Sequence, residues 1–142
     1  MQTQNLKNHA RFVPGFHFVI LPLLLFAFIA ALVYLIHFSQ DHLLFAVVLV
    51  ALSFATLLLS FFARGFSLKA QDRAIRAEEN FRHYIATGKP LDKSLTMGQI
   101  IALRFAGDDE FIALAKKAAA EKMSSKDIKT AIQNWKGDYN RV

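Results

Sequence analysis

The chain has 142 residues, 54% of them hydrophobic, with 17 basic against 11 acidic side chains and no cysteine. That length leaves room for one small domain beside any membrane segment. The absence of cysteine excludes disulfides, thiolate nucleophiles and cysteine-ligated zinc or iron–sulfur centres, and a net charge of +6 in mixed signs does not by itself mark a nucleic-acid binder.

Residues 1–15 form a polar lead that carries Lys7 and Arg11 and no acid. Two runs without Asp, Glu, Lys or Arg follow, residues 16–38 and 43–63, of 23 and 21 residues. At ~1.5 Å rise per residue each would cross a hydrocarbon core of about 30 Å as a helix. Only Ser39-Gln40-Asp41-His42 separates them, so residues 16–63 read as an antiparallel transmembrane hairpin with a tight polar turn. The first run exceeds the apolar core of a secretory signal, and Ile36-His37-Phe38-Ser39 lacks a small-x-small cleavage pattern, so an uncleaved anchor is expected. Lys7 and Arg11 precede the hairpin, and Arg64, Lys69, Arg73 and Arg76 follow it, while the turn has no basic residue. The positive-inside rule then predicts both termini in the cytoplasm, and Arg64 and Lys69 are the expected headgroup anchors on an anionic leaflet.

Within the hairpin, Pro22 should bend or loosen the first helix two turns from its start. Ala27 and Ala31, and Ala51 and Ala55, have the four-residue spacing that lets helices approach closely in lipid, although lipid-facing alanine explains the same pattern. Ser53, Thr56 and Ser60 can bond back to their own helix, and neither span holds the ionisable residue that proton relays and ion-coupled carriers use. His37 and His42 flank the turn, where they could face each other as a metal or haem pair or simply sit at a polar interface. His17 lies about 30 Å from His37 at helical rise and cannot share a cofactor with it, and His9 belongs to the lead. No cofactor or metal is expected.

The second helix should continue as a cytoplasmic stalk over residues 64–87, with Gly65 a possible kink, and stop at Thr87-Gly88-Lys89-Pro90. Asp72–Arg76 and Glu78–Arg82 have acid-before-base spacing on that stalk. Phe66, Ala70, Ala74, Ala77, Phe81 and Tyr84 form an apolar stripe. It needs a partner, either a second stalk or the cap through Ile101, Phe105 and Phe111, with Arg82 on a more exposed face.

Residues 88–142 read as a cytoplasmic three-helix cap. Thr96-x-x-Gln99 is a capping box for a helix ending near Ala106 with Gly107 as its stop, Asp108 can cap the next, and Ser124-x-x-Asp127 starts a third. Ile128, Ile132 and Trp135 then share one face of a last helix stopping near Gly137, and this spacing argues for core. Lys126, Lys129, Lys136 and Arg141 could suggest a nucleic-acid face, but Asp127 and Asp138 interrupt it. About 50 residues is near the lower limit for a free-standing core, so the cap should lean on the stalk, the membrane or a second subunit.

Three motifs resemble a known family. They are Asn8-His9-x-Arg11-x-Val13-Pro14, Leu68-Lys69-x-Gln71-Asp72-Arg73-Ala74-Ile75-Arg76-x-Glu78-Glu79-Asn80, and Leu95-Thr96-x-x-Gln99-Ile100-x-Ala102-Leu103-Arg104-Phe105. Together with the hairpin they are similar to a family of small two-span bacterial inner-membrane proteins of unknown function. The resemblance implies the same topology and a bacterial inner-membrane location, and supplies no reaction, cofactor or catalytic residue.

The expected fold is all-α, with hairpin, stalk and cap. The expected function is a non-enzymatic integral membrane interaction or scaffold protein, self-associating or an accessory subunit of another membrane protein's complex. An oligomeric pore or membrane-perturbing effector is the alternative. A HEPN-like ribonuclease is the third reading, because Arg76 and His83 have an Arg-x6-His spacing that could supply phosphate stabilisation and acid–base chemistry, although Ala77 replaces the usual polar neighbour. No P-loop, GxSxG, HExxH or GxGxxG pattern occurs.

Overall fold

A computed structural model describes residues 4–6, 8, 12–38 and 40–138. The fold is all-helical, with no β-strand among the described residues and one isolated antiparallel bridge between Ala106 and Trp135. A π-helical segment, Gly15–Ile20, runs into α1 (Leu21–His37), followed by α2 (Leu43–Thr87), α3 (Met97–Leu103), α4 (Asp108–Ala120) and α5 (Ser125–Ala131). The chain divides into two compact units, Phe12–Ser67 and a second made of Met1–Arg11 with Leu68–Val142.

The first unit is the hairpin. The Pro22 ring clashes with the carbonyl four residues back and offers no amide hydrogen. The helix answers by widening just before it, where Leu21 N donates to Phe16 O five residues away. The looseness expected from Pro22 is therefore a π-helical entry and not a bend farther in. The two helices pair in antiparallel register, with Phe28 against Phe54 at 5.5 Å and Tyr34 against Phe45 at 6.3 Å between ring centroids. Ala46 is fully buried and Ala31 nearly so within the hairpin unit. Gly15–His37 and Leu43–Thr87 are both long and apolar enough to cross a membrane, and only 6% of each most apolar window is buried. A core helix of a soluble protein would bury most of that surface.

α2 continues through Gly65 without a break and stops where expected. Gly88 adopts φ 70°, a left-handed value natural to glycine, and its N–H donates to Tyr84 O at 2.7 Å.

In the second unit, α3, α4 and α5 pack around Leu103, Phe105, Phe111 and Ile128, each at most 1% exposed. Thr96 and Gln99 close the expected capping box, and the Gln99 amide also donates to Met123 O at 2.8 Å, tying the start of α3 to the end of α4. Ser124 caps α5 as its spacing predicted.

Three boundaries differ from the sequence reading. α3 ends at Leu103, short of Ala106, because the chain turns there to bring Ala106 beside Trp135. α4 is capped by Gly107, with Asp108 already in its first turn, because the Gly107 N–H donates to Asn134 O at 2.8 Å. A Cβ at Gly107 would crowd the Asp109 carboxylate and lie 3.1 Å from Asn134 O, so this close approach favours glycine. α5 stops at Ala131 well before Gly137. The Glu110 carboxylate accepts from Gln133 N and Asn134 N, and Lys136 N donates to Phe105 O at 2.8 Å. These bonds hold residues 132–136 as a non-helical segment with a bend at Gln133–Asn134, although Ile132 and Trp135 still reach the core.

Candidate functional site

In the helical unit, the last turns of α2 meet α4 through Arg82. Its Nε donates to Asp108 Oδ1 at 2.7 Å, its Nη2 to Ala106 O at 2.8 Å and its Nη1 to Glu79 Oε2 at 3.0 Å. The guanidinium also lies 4.1 Å from the centroid of the Phe111 ring. Hydrogen bonding and attraction from Arg82 hold the Asp108 carboxyl below the usual carboxylate range. At the next residue, His83 Nδ1 lies 2.8 Å from Lys89 O, and its ring lies edge-on to Phe111 with centroids 6.1 Å apart. Leu91 N donates to Asn80 Oδ1 at 2.9 Å. Ile75 and Glu79 are buried on this same face.

This is a correction to the expected docking. Arg82 belongs to the joint and not to an exposed face, and it pairs with Glu79 and Asp108 rather than Glu78. Arg76 likewise forms no ion pair with Asp72 among the described residues. Phe105 and Phe111 are buried, but the α2 residues beside Phe111 are Arg82 and His83 rather than the stripe.

The stripe residues remain open. Phe81 is 63% exposed, and Tyr84, Ile85 and, on α4, Ile112 are exposed too. Phe66, in the hairpin unit, is also exposed and packs in a tilted arrangement against Phe62. Of the four alanines, Ala31 is buried within the hairpin, whereas Ala27, Ala51 and Ala55 face outward. Arg64 is half-buried, with its guanidinium 5.9 Å from the Phe16 ring centroid, and Lys69 is exposed. Ser53 and Thr56 donate to the carbonyls of Leu49 and Leu52, and Ser60 to that of Leu57.

The remaining candidates are scattered. His17 Nδ1 sits 2.9 Å from Val13 O, and His37 and His42 are exposed at the turn. His9 and Arg141 lie outside the described residues. No group of three or more metal-ligating side chains gathers among the described residues. Arg76 and His83 line different grooves, one with Arg73 and Lys93, the other with Lys89 and Lys116. Trp135 packs on Phe105 at 5.3 Å, as its spacing suggested, and Lys129 lies over the same Phe105 ring. Lys126 and Lys136 are exposed.

Two features escaped sequence reasoning. Arg104 is buried and pairs with Asp138 at 3.2 Å, and Gln4 bonds twice to the Asp138 backbone, accepting from its N–H at 2.8 Å and donating to its carbonyl at 3.0 Å. Partners 34 and 134 residues apart leave no local spacing signal.

The family described as "Family of unknown function (DUF6526)" matches residues 1–142. No curated protein and no solved structure matches the chain.

Proposed function

The chain belongs to this family of unknown function, and we propose that it is a non-enzymatic integral membrane interaction protein of the bacterial inner membrane. On this reading α1 and the first half of α2 span the bilayer, both termini lie in the cytoplasm, and the helical unit is an assembly module. The observation that carries the reading is exposed apolar surface in both units. The hairpin leaves its most apolar windows almost wholly uncovered, which suits lipid. On the helical unit Phe81, Tyr84, Ile85 and Ile112 remain exposed, which suits a second protein surface.

The topology draws support from Gln4, whose bonds to Asp138 join the two ends of the chain in one unit, as an even number of crossings allows. Basic residues on both sides of the hairpin and none in its turn support the orientation. The partner is a second copy or another membrane protein. Purification in a mild detergent followed by native mass measurement tests this. A multiple of the chain mass, or a stoichiometric companion, is expected. A clean monomer without companions overturns the assembly reading.

A further inference from the structure

A groove of about 450 Å³ lies between α2 and the segment leading into α3, wholly within the helical unit. Arg73, Arg76 and Asn80 reach it from α2, and Lys93 from the opposite wall. None of the three cations forms an ion pair with a described residue. Elsewhere on α2 the contrast is sharp, because Arg82 is held by two carboxylates and a carbonyl. The Asn80 side chain is half committed: its oxygen accepts from Leu91 N, which fixes the amide and leaves its NH2 group as a positioned donor. The one acid on the groove, Asp92, accepts from Ser94 N at 2.8 Å, so its charge is partly satisfied locally. Three cations against one carboxylate leave a formal charge of +2 around the opening. Its floor is apolar, formed by Ala77, Leu91, Met97 and Ile100.

We propose that this groove binds a phosphate-bearing small molecule with an attached apolar group, the phosphate on Arg73, Arg76 and Lys93 and the apolar part on the Leu91–Ile100 floor. The planar guanidinium fork matches phosphate oxygens two at a time, and the Asn80 NH2 adds a neutral donor. A carboxylate would engage one fork, whereas a phosphate has enough oxygens for both arginines and the lysine. The same chemistry is offered by a phospholipid headgroup and by a free phosphate ester. Binding here does not depend on assembly, so a monomer and an oligomer should both show it.

The test uses the full chain in an uncharged detergent, titrated calorimetrically with dihexanoylphosphatidic acid and, separately, with glycerol 3-phosphate, both phosphate monoesters with three terminal oxygens. Saturable binding of at least one probe is expected, weakened at least tenfold by the double change Arg73→Gln with Arg76→Gln. Lys116→Gln, on the neighbouring groove, should leave it unchanged. Asn80→Asp keeps the acceptor for Leu91 N–H and replaces the donor by a negative charge, so it should abolish binding without unfolding the joint. Binding of the lipid probe alone assigns the ligand as a headgroup with its apolar chains, and comparable binding of glycerol 3-phosphate assigns a free phosphate ester. The proposal is overturned if neither probe saturates, if both the double variant and Asn80→Asp bind as the parent does, or if Lys116→Gln weakens binding equally.

Discussion

The guanidinium of Arg82 stacks on the Phe111 ring at 4.1 Å, so one cation on α2 closes over the aromatic that anchors α4. The Arg82 side chain is only 14% exposed, and Ala106 O depends on it for a hydrogen bond. Arg82→Ala should therefore destabilise the helical unit by about 2–3 kcal/mol, from a lost charge-assisted hydrogen bond and a lost cation–π contact. The exposed Asp108 contributes the smaller part, since solvent screens that pair. Thermal unfolding in detergent would measure it, and Arg82→Lys should recover only part, having no planar fork. A loss within 0.5 kcal/mol would remove Arg82 from the joint.

Asp108 gives this joint a pH dependence of defined sign. Its folded pKa lies below the ordinary aspartate value, chiefly through the hydrogen bond from Arg82. Stability from the pair is therefore complete above about pH 5, where the unfolded carboxyl is ionised, and is lost as pH falls through the lowered folded value. Denaturation of the parent and of Asp108→Asn, compared between pH 7 and pH 3, should differ most at pH 7, and the difference should narrow as the pH falls. A difference that grows toward pH 3 would contradict the assignment.

Glu110 holds the segment after α5 through Gln133 N and Asn134 N, both at 3.0 Å. Glu110→Ala should free residues 133–136 while α4 stays folded, at a cost of about 1–2 kcal/mol because the carboxylate is partly solvated. Trp135 is the one tryptophan, so its emission should shift to the red, and the Lys136 amide should exchange faster. Unchanged emission and exchange would mean the segment is held by Trp135 and Ile132 alone.

What was legible in the sequence was whatever a few neighbouring residues decide. The uncharged runs, the Gly88 stop, the Thr96–Gln99 box and the Ser124 cap are local, and all four stand in the structure. The faces of α2 were not legible. Helical spacing groups Phe66, Phe81 and Tyr84, but which face meets the cap is decided by Ala106, Asp108 and Phe111, more than twenty residues away. The end of α5 failed for the same reason: the pattern Ile128, Ile132, Trp135 fits a helix and equally fits a short helix followed by a non-helical segment bonded to Phe105 and Glu110. Acid–base spacing also misled, because Glu78 stands at the expected distance from Arg82 while Glu79 and Asp108 make the bonds.

The hairpin separates the alanines by role. Ala46 has no exposed surface, so Ala46→Leu must push the helices apart, an overpacking cost of about 1–3 kcal/mol. Ala51 faces outward, so Ala51→Leu should leave the hairpin closed. Because the chain has no cysteine, Phe28→Cys with Phe54→Cys can report closure cleanly through a short bis-maleimide within one chain. Cross-linking should fall with Ala46→Leu and persist with Ala51→Leu. Equal yields in the two backgrounds would mean that Ala46 does not pack against the facing helix.

The apolar stripe gives the sharpest test of assembly, because the joint and the stripe occupy different residues of α2. Phe81 is 63% exposed and stands one residue from Arg82, which turns the other way into the cap. Phe81→Asp removes no described packing of the helical unit, so its unfolding should change by less than about 0.5 kcal/mol, as at ordinary surface positions. A buried aspartate in an apolar contact is costly, however, so the same change should dissociate any complex that covers Phe81, Ile85 and Ile112. Arg82→Ala should behave in the opposite way, weakening the fold and exposing residues 87–93 to protease while the stripe itself stays intact. Native mass measurement and limited proteolysis on both variants read the two effects separately. If Phe81→Asp leaves the assembly mass unchanged, the stripe is not the contact, whatever Arg82→Ala does to the joint.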